Sequence, residues 1–331
     1  MSLSTGRGLP AELMARLKLP VIAAPMFLVS TVETVIAGAR SGIIGALPAA
    51  NARSNPILRD WLGRIGQAMD SLGPQAPPWA LNLVVHRSSP RMADDLAACV
   101  EHRVPIVITA LGSPQAVVQA VHGYGGAVWA DVATPQMARK AAATGVDGLV
   151  LVCSGAGGHT GAMAAAAFVA EVREFFDGII VLAGAVMNGA AIRAAQTLGA
   201  DLVHMGTRFI AVSESAASPD YRQMLVESSY SDIICTNALT GAWANKLRPS
   251  LVRAGLDPDH LVPRGAMDLS SAESDLKAWK DLWSAGHGVG QVRAVRSTAE
   301  VVAELLAEYE ATLDAQAADA WAQRRARQVG P

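Results

Sequence analysis

The chain has 331 residues, a formal net charge of −2, 51% hydrophobic residues and only 17% charged ones. That balance supports one large buried core or two smaller ones, and it excludes a basic footprint for nucleic acid or an anionic membrane surface. Cys99, Cys153 and Cys235 are widely spaced, with no CxxC or His-x-x-x-His pattern, which argues against a disulfide framework and a metal site. Residues 1–8 lack the apolar stretch of a secretory signal, and the Ala-rich run 162–172 is too short to span a bilayer, so a cytoplasmic protein is expected. The cluster Arg324-Arg-Ala-Arg327 reads as a solvated helix end.

Eight short apolar runs predict strands at 21–26, 43–48, 80–85, 106–111, 127–132, 148–153, 179–184 and 202–206. They are continuously apolar rather than alternating, as strands buried on both faces should be. Between them, segments such as 114–122, 135–144 and 190–198 carry helical periodicity, with Pro114 and Pro135 near helix starts and Gly145 and Gly199 after helix ends. Eight β–α alternations predict an α/β fold, a (β/α)8 TIM barrel. A doubly wound sheet is the alternative, but its first-turn GxGxxG is absent. After Phe209 the alternation stops. Residues 212–280 are expected to form a small helical insertion capping the barrel mouth, with 1–211 and 281–331 forming the barrel. Ser297-Thr-Ala-Glu300 fits a capping box at the start of a last long helix.

Function in such a barrel gathers at the carboxyl ends of the strands. Those ends carry Ala24-Pro25-Met26, Asn82, Asp131, the loop Cys153-Ser-Gly-Ala-Gly157-Gly158-His159-Thr-Gly161, Gly184-Ala185 and Gly206-Thr207. Glycines let a backbone press against a flat or phosphorylated ligand, and a single imidazole among them suits proton transfer or anion binding. The same loop also reads as a tight turn with an incidental histidine. Loops after strands seven and eight commonly cradle phosphate through backbone N–H groups, which Gly184, Gly206 and the Thr207 hydroxyl would suit. Met26 reads as core filler or as a residue packing on a ring and donating its amide. His86 and His204 read as structural, the latter as a hydrogen-bonded core histidine. Cys153 reads as a small buried residue. Trp243, Asn245 and Lys246 either line a lid or anchor the insertion.

Ala24-Pro-Met26, Asn82, Gly155-Ala-Gly-Gly-His159-Thr-Gly161, Gly184, Met205-Gly-Thr-Arg-Phe209 and Ser284-Ala-Gly-His287-Gly-Val-Gly290 together resemble the nitronate monooxygenase family, in order from about residue 20 to 305. The resemblance implies FMN lying across the barrel mouth, with Ala24, Pro25, Met26, Asn82, Asp131, Gly157 and Gly158 near the ring and Gly184, Ala185, Gly206 and Thr207 at the phosphate. It implies His159 as the catalytic, substrate-side residue; Ser284 and His287 are further candidate substrate contacts, His287 reading equally as a second polar group over the flavin or as a loop histidine. It implies a small-molecule substrate, an alkyl nitronate oxidised by oxygen to a carbonyl compound and nitrite. Two departures stand out: some relatives have lysine where this chain has Asp131, and many have glutamine where it has His287. Reductases of the same scaffold, taking a nicotinamide nucleotide as co-substrate and reducing a quinone or an enoyl-acyl-carrier protein, are the alternative activity. A flavin-binding barrel without turnover is the alternative outside catalysis.

Overall fold

The structure is a computed structural model that describes residues 8–265, 281–319 and 324. The predicted insertion's stretch 266–280, residues 1–7 read for a signal, and most of the 324–327 cluster lie outside the described residues.

The strands are β1 (Val21–Ala23), β2 (Ile44–Pro48), β3 (Ala80–Val84), β4 (Ile106–Ala110), β5 (Ala127–Val132), β6 (Gly148–Val152), β7 (Gly158–His159), β8 (Ile179–Ala183), β9 (Leu202–Met205), β10 (Ile233–Thr236) and β11 (Ala244–Leu247). β1-β2-β3-β4-β5-β6-β8-β9 form a closed parallel barrel in which β9 pairs back onto β1. The helices are α1 (Ala11–Met14), α2 (Val32–Ser41), α3 (Asn55–Leu72), α4 (Met92–Glu101), α5 (Gln115–His122), α6 (Pro135–Ala142), α7 (Ala165–Arg173), α8 (Gly189–Leu198), α9 (Thr207–Ile210), α10 (Pro219–Glu227), α11 (Arg248–Arg253) and α12 (Thr298–Ala317). The chain is thus a (β/α)8 TIM barrel. All eight expected strands form, most of them ending within one residue of the predicted limit. β1 is shorter at its carboxyl end because Pro25 has no N–H for the ladder and the Met26 amide turns to Ser30 Oγ at 2.8 Å.

Each barrel strand is apolar on both faces, for two different reasons. Ile22, Ile44, Ile108, Trp129, Val150, Val181 and Leu202 fill the lumen. The alternate residues, among them Val21, Leu47, Leu81, Val107, Val128, Leu149, Ile180 and Val203, pack outward against the helices. Trp129 is fully buried, and truncating a side chain of that size in a core costs about 3–5 kcal/mol. Gly148 makes room for it, since a Cβ there would lie 2.6 Å from Trp129 Cδ1.

Local chemistry sets the helix ends. Thr31 and Ser297 form capping boxes at α2 and α12, and Gly42 closes α2 in the left-handed region at φ 88°. α12 clamps α8: Glu308 Oε2 accepts from the Gly189 amide at 2.9 Å, and Tyr309 donates to Gln196 Oε1 at 2.7 Å.

The segment after β9 is not purely helical. α10 and α11 are there, but β10 and β11 form an antiparallel ribbon, and β11 also pairs with β7 from the glycine loop. Tyr221 of α10 stacks on Trp283 with centroids 4.8 Å apart, and the Arg253 guanidinium lies 3.5 Å from the Trp283 ring centroid. Such stacked pairs contribute about 0.5–1.5 kcal/mol beyond area burial. Among the described residues, no helix is long and apolar enough to cross a membrane.

Candidate active site

Strand register decides which polar side chains enter the barrel. Asn82 is opposite Pro48 and Ile108, Asp131 is opposite Val150, and His204 is opposite Ala183 and Ile22. Cross-strand partners share a face, and Ile108, Val150, Ala183 and Ile22 belong to the lumen core. Asn82, Asp131 and His204 therefore point into the lumen near its carboxyl-terminal end. Asn82 Nδ2 donates to the Ile108 carbonyl at 3.1 Å.

Asp131 and His204 are half-buried as residues, but Asp131 Oδ1 and His204 Nε2 are shut off from solvent and have no hydrogen-bond partner among the described residues. Burial alone pushes the Asp131 carboxyl up to about 7 and the His204 imidazole down to about 4. Both groups are thus driven toward their neutral forms, because a low dielectric penalises charge. His204 was expected to be a hydrogen-bonded core histidine. It is instead a lumen group with an unmatched nitrogen, two residues before Gly206. Unmatched buried polar atoms cost about 1–3 kcal/mol each in a folded protein, and they cluster where a ligand completes the set.

The mouth is assembled from four loops. Ala24 holds the end of β1 to β9 through its amide and the Met205 carbonyl at 3.0 Å. Of the two readings left open for Met26, core filler or ring-packing amide donor, the amide role is not available here, because Met26 donates that hydrogen to Ser30 Oγ. Asn51 then fixes the loop by donating to the carbonyls of Met26 (3.1 Å) and Ser30 (2.8 Å). A Cβ on Gly206 would project toward Met26 Sδ at 3.5 Å and Ala24 Cβ at 3.8 Å, so the bare Cα of Gly206 faces the first loop across the mouth. Gly184 and Ala185 follow β8 with φ of 133° and 55°. For an alanine the left-handed region costs about 1 kcal/mol, and strain of that kind collects at ligand-holding turns.

The glycine loop packs on the segment that returns from the insertion. A Cβ on Gly157 would lie 2.8 Å from the Ala285 carbonyl carbon and the Gly286 nitrogen, so only glycine fits. The His287 amide donates to the Gly155 carbonyl at 3.0 Å, and the Gly286 amide donates to Thr207 Oγ1 at 2.8 Å. Ser284 is held by Tyr221, whose hydroxyl donates to its carbonyl at 2.5 Å. Ser284 Oγ is buried and has no partner among the described residues. Cys153, under Gly184, is buried with its thiol pushed up to about 12, which fits the small packing residue expected.

His159 stands on β7, opposite Ala244 of β11, and the Thr160 amide donates to the Trp243 carbonyl at 3.1 Å. The histidine is thus clamped between the barrel and the ribbon. Burial, and then the charge of Lys246, depress its imidazole to about 4. Lys246 itself is fully buried; burial lowers it to about 7, and its Nζ donates to the Leu282 carbonyl at 3.0 Å. Neighbouring Asn245 is buried and donates to the Ala156 carbonyl at 2.8 Å. The sequence left these two residues between lid and anchor; both are buried anchors, and the charge of Lys246 also acts on His159. Trp243 remains 57% exposed beside them.

The family description "Nitronate monooxygenase" matches residues 11–308. The chain belongs to this family. Members are oxidoreductases, and membership implies a flavin cofactor. A putative monooxygenase of Mycobacterium tuberculosis is 32% identical over 63% of this chain and 60% of its own length. A nitronate monooxygenase of Paraburkholderia phytofirmans is 28% identical over 78% of this chain and 75% of its own length. Among solved structures, FabK from Thermotoga maritima matches with a TM-score of 0.76 at 24% identity, covering 95% of this chain and 99% of that one. A nitroalkane oxidase from Streptomyces ansochromogenes matches with a TM-score of 0.76 at 23% identity, covering 92% and 100%. Those two structures share the fold of this family member.

Proposed function

We propose that this nitronate monooxygenase family member binds FMN across the barrel mouth and oxidises alkyl nitronates, with oxygen as co-substrate, to a carbonyl compound and nitrite. The observation that carries the reading is His159, a neutral and weakly basic imidazole clamped at the mouth beside the buried ammonium of Lys246.

The residues at the mouth fit a flavin. An isoalloxazine edge presents carbonyl oxygens and ring nitrogens, and the lumen offers Asn82, a carboxyl at Asp131 inclined to keep its proton, and His204, the last two with unmatched atoms. Ala24, Pro25 and Met26 would flank the ring, with Gly157 and Gly158 beside it. Gly184, Ala185, Gly206 and Thr207 would take the phosphate through backbone N–H groups and one hydroxyl, as strand-end glycines of barrels commonly do. When bound, the flavin supplies the electron acceptor.

The chain's own contribution is substrate binding and charge. With an imidazole titrating at about 4, His159 is neutral at physiological pH and can donate a hydrogen bond to an oxygen of the nitro group. It is too weak a base to remove a proton from carbon efficiently, since an effective general base titrates near the working pH. The substrate therefore arrives already ionised, as the nitronate. Lys246, titrating at about 7 and close enough to depress His159, adds positive potential that favours an anion. His159 Nε2 is shut off from solvent where β7 pairs with the ribbon.

The test is product formation in air. Preformed alkyl nitronate should give nitrite and carbonyl compound at a rate at least ten times that of the un-ionised nitroalkane at equal concentration. Equal rates with the neutral nitroalkane would contradict the assignment of His159 as a donor.

A further inference from the structure

We propose that His287, whose ring meets the loop after β6 at Gly155 beside Ala185 of the loop after β8, contacts the phosphate end of the cofactor and does not contact substrate. The inference rests on the reading that FMN lies across the mouth. A Cβ built on Gly155 would sit 3.1 Å from His287 Cγ and Nδ1 and 3.3 Å from Ala185 Cβ. The imidazole therefore lies against the Gly155 Cα, beside the strained turn at Gly184-Ala185. Its backbone is locked there: the His287 amide binds the Gly155 carbonyl, and the preceding amide binds Thr207 Oγ1. A Cβ on the next residue, Gly288, would collide with Met187 Cγ at 2.2 Å, so the segment is pressed onto the loop after β8. On its outer side Tyr230 meets the ring edge-on, with centroids 5.1 Å apart at 86°. His159 lies four residues beyond Gly155, on β7, whose backbone pairs with β11.

Charge points the same way. The stretches 153–161, 184–188, 206–210 and 284–290 contain no Asp or Glu, so nothing in these loops repels an anion. Their one guanidinium, Arg208, is buried and spends its two terminal nitrogens on Glu304 at 2.5 Å and the Gln291 carbonyl at 3.1 Å, while its Nε has no partner among the described residues. A phosphate monoester held between Gly184-Ala185 and Gly206-Thr207 would draw on backbone amides, the Thr207 hydroxyl and the His287 ring. Hydrogen bonds to a charged phosphate are among the stronger ones.

FMN and riboflavin share the ring and differ at the phosphate, so they separate the two roles. Their dissociation constants are measured by fluorescence titration of the flavin-stripped full chain. His287→Phe keeps a ring to pack on Gly155 and Tyr230 but has no N–H. It should raise the FMN dissociation constant about tenfold or more, while riboflavin changes by less than about twofold. His287→Gln, which restores a donor, should recover most of the FMN affinity. Equal weakening of both flavins, or no change for either, would overturn the inference. Wild-type protein that binds riboflavin as tightly as FMN would overturn it too, by removing the phosphate cradle. Wild-type protein that binds neither flavin would instead sink the functional reading beneath it.

Discussion

Replacing Asp131 with Asn should stabilise the flavin-free protein at pH 8 and change it little at pH 4.5. Among the described residues Asp131 has no charged partner, and burial moves its carboxyl from 3.8 to about 7. A folded-state pKa above the unfolded value means that ionisation opposes folding. The cost is absent below about 3.8, grows as pH rises through the interval, and is complete above about 7. At about 1.4 kcal/mol per pH unit the ceiling is about 4 kcal/mol, and some relaxation around the carboxylate makes about 2–4 kcal/mol the expected range. For a chain of 331 residues that corresponds to roughly 3–6 °C in Tm, from the usual unfolding entropy per residue. His204 is shifted in the opposite sense, with stability lost as pH falls through about 4. It is common to both proteins, so it cancels in the difference. The assay is thermal unfolding of both proteins at pH 4.5 and pH 8. A gain that is equal at the two pH values, or a loss at pH 8, would refute the claim that Asp131 is a solvent-excluded, unpaired lumen carboxyl.

Two further outcomes follow from the mouth. His159→Asn should leave flavin affinity within about twofold while slowing flavin reduction by nitronate about a hundredfold, the lower end of what a positioned hydrogen-bond donor contributes; stopped-flow absorbance checks both. Gly206→Ala meets no contact shorter than 3.5 Å and has ordinary backbone angles, so folding should survive, with Tm unchanged to within a few degrees. Its methyl would intrude on the proposed cradle, and the FMN dissociation constant should rise at least tenfold by titration.

The barrel was legible in the sequence because two-faced burial writes continuous apolar runs, and 148–153 or 179–184 could hardly be anything else. The ribbon was not. β10 and β11 are four residues each, and Cys235, Thr236, Asn245 and Lys246 interrupt their apolar pattern. Nor does sequence reveal that Lys246 is fully buried, since lysine is ordinarily exposed. The strand-end glycines and His159 could be placed by counting strands. His204 could have been found the same way, because it lies on the lumen parity of β9 two residues from Gly206. The Met26 amide and the His287 ring needed coordinates, because Ser30 and Gly155 decide them.

The most direct test of the account is anaerobic mixing of the flavin-loaded protein with an alkyl nitronate, NADH and NADPH in parallel, following bleaching of the flavin absorbance. The account predicts rapid bleaching by the nitronate and little by either nicotinamide nucleotide. Rapid bleaching by NADH or NADPH with none by the nitronate would contradict it and make the protein a reductase on the same barrel.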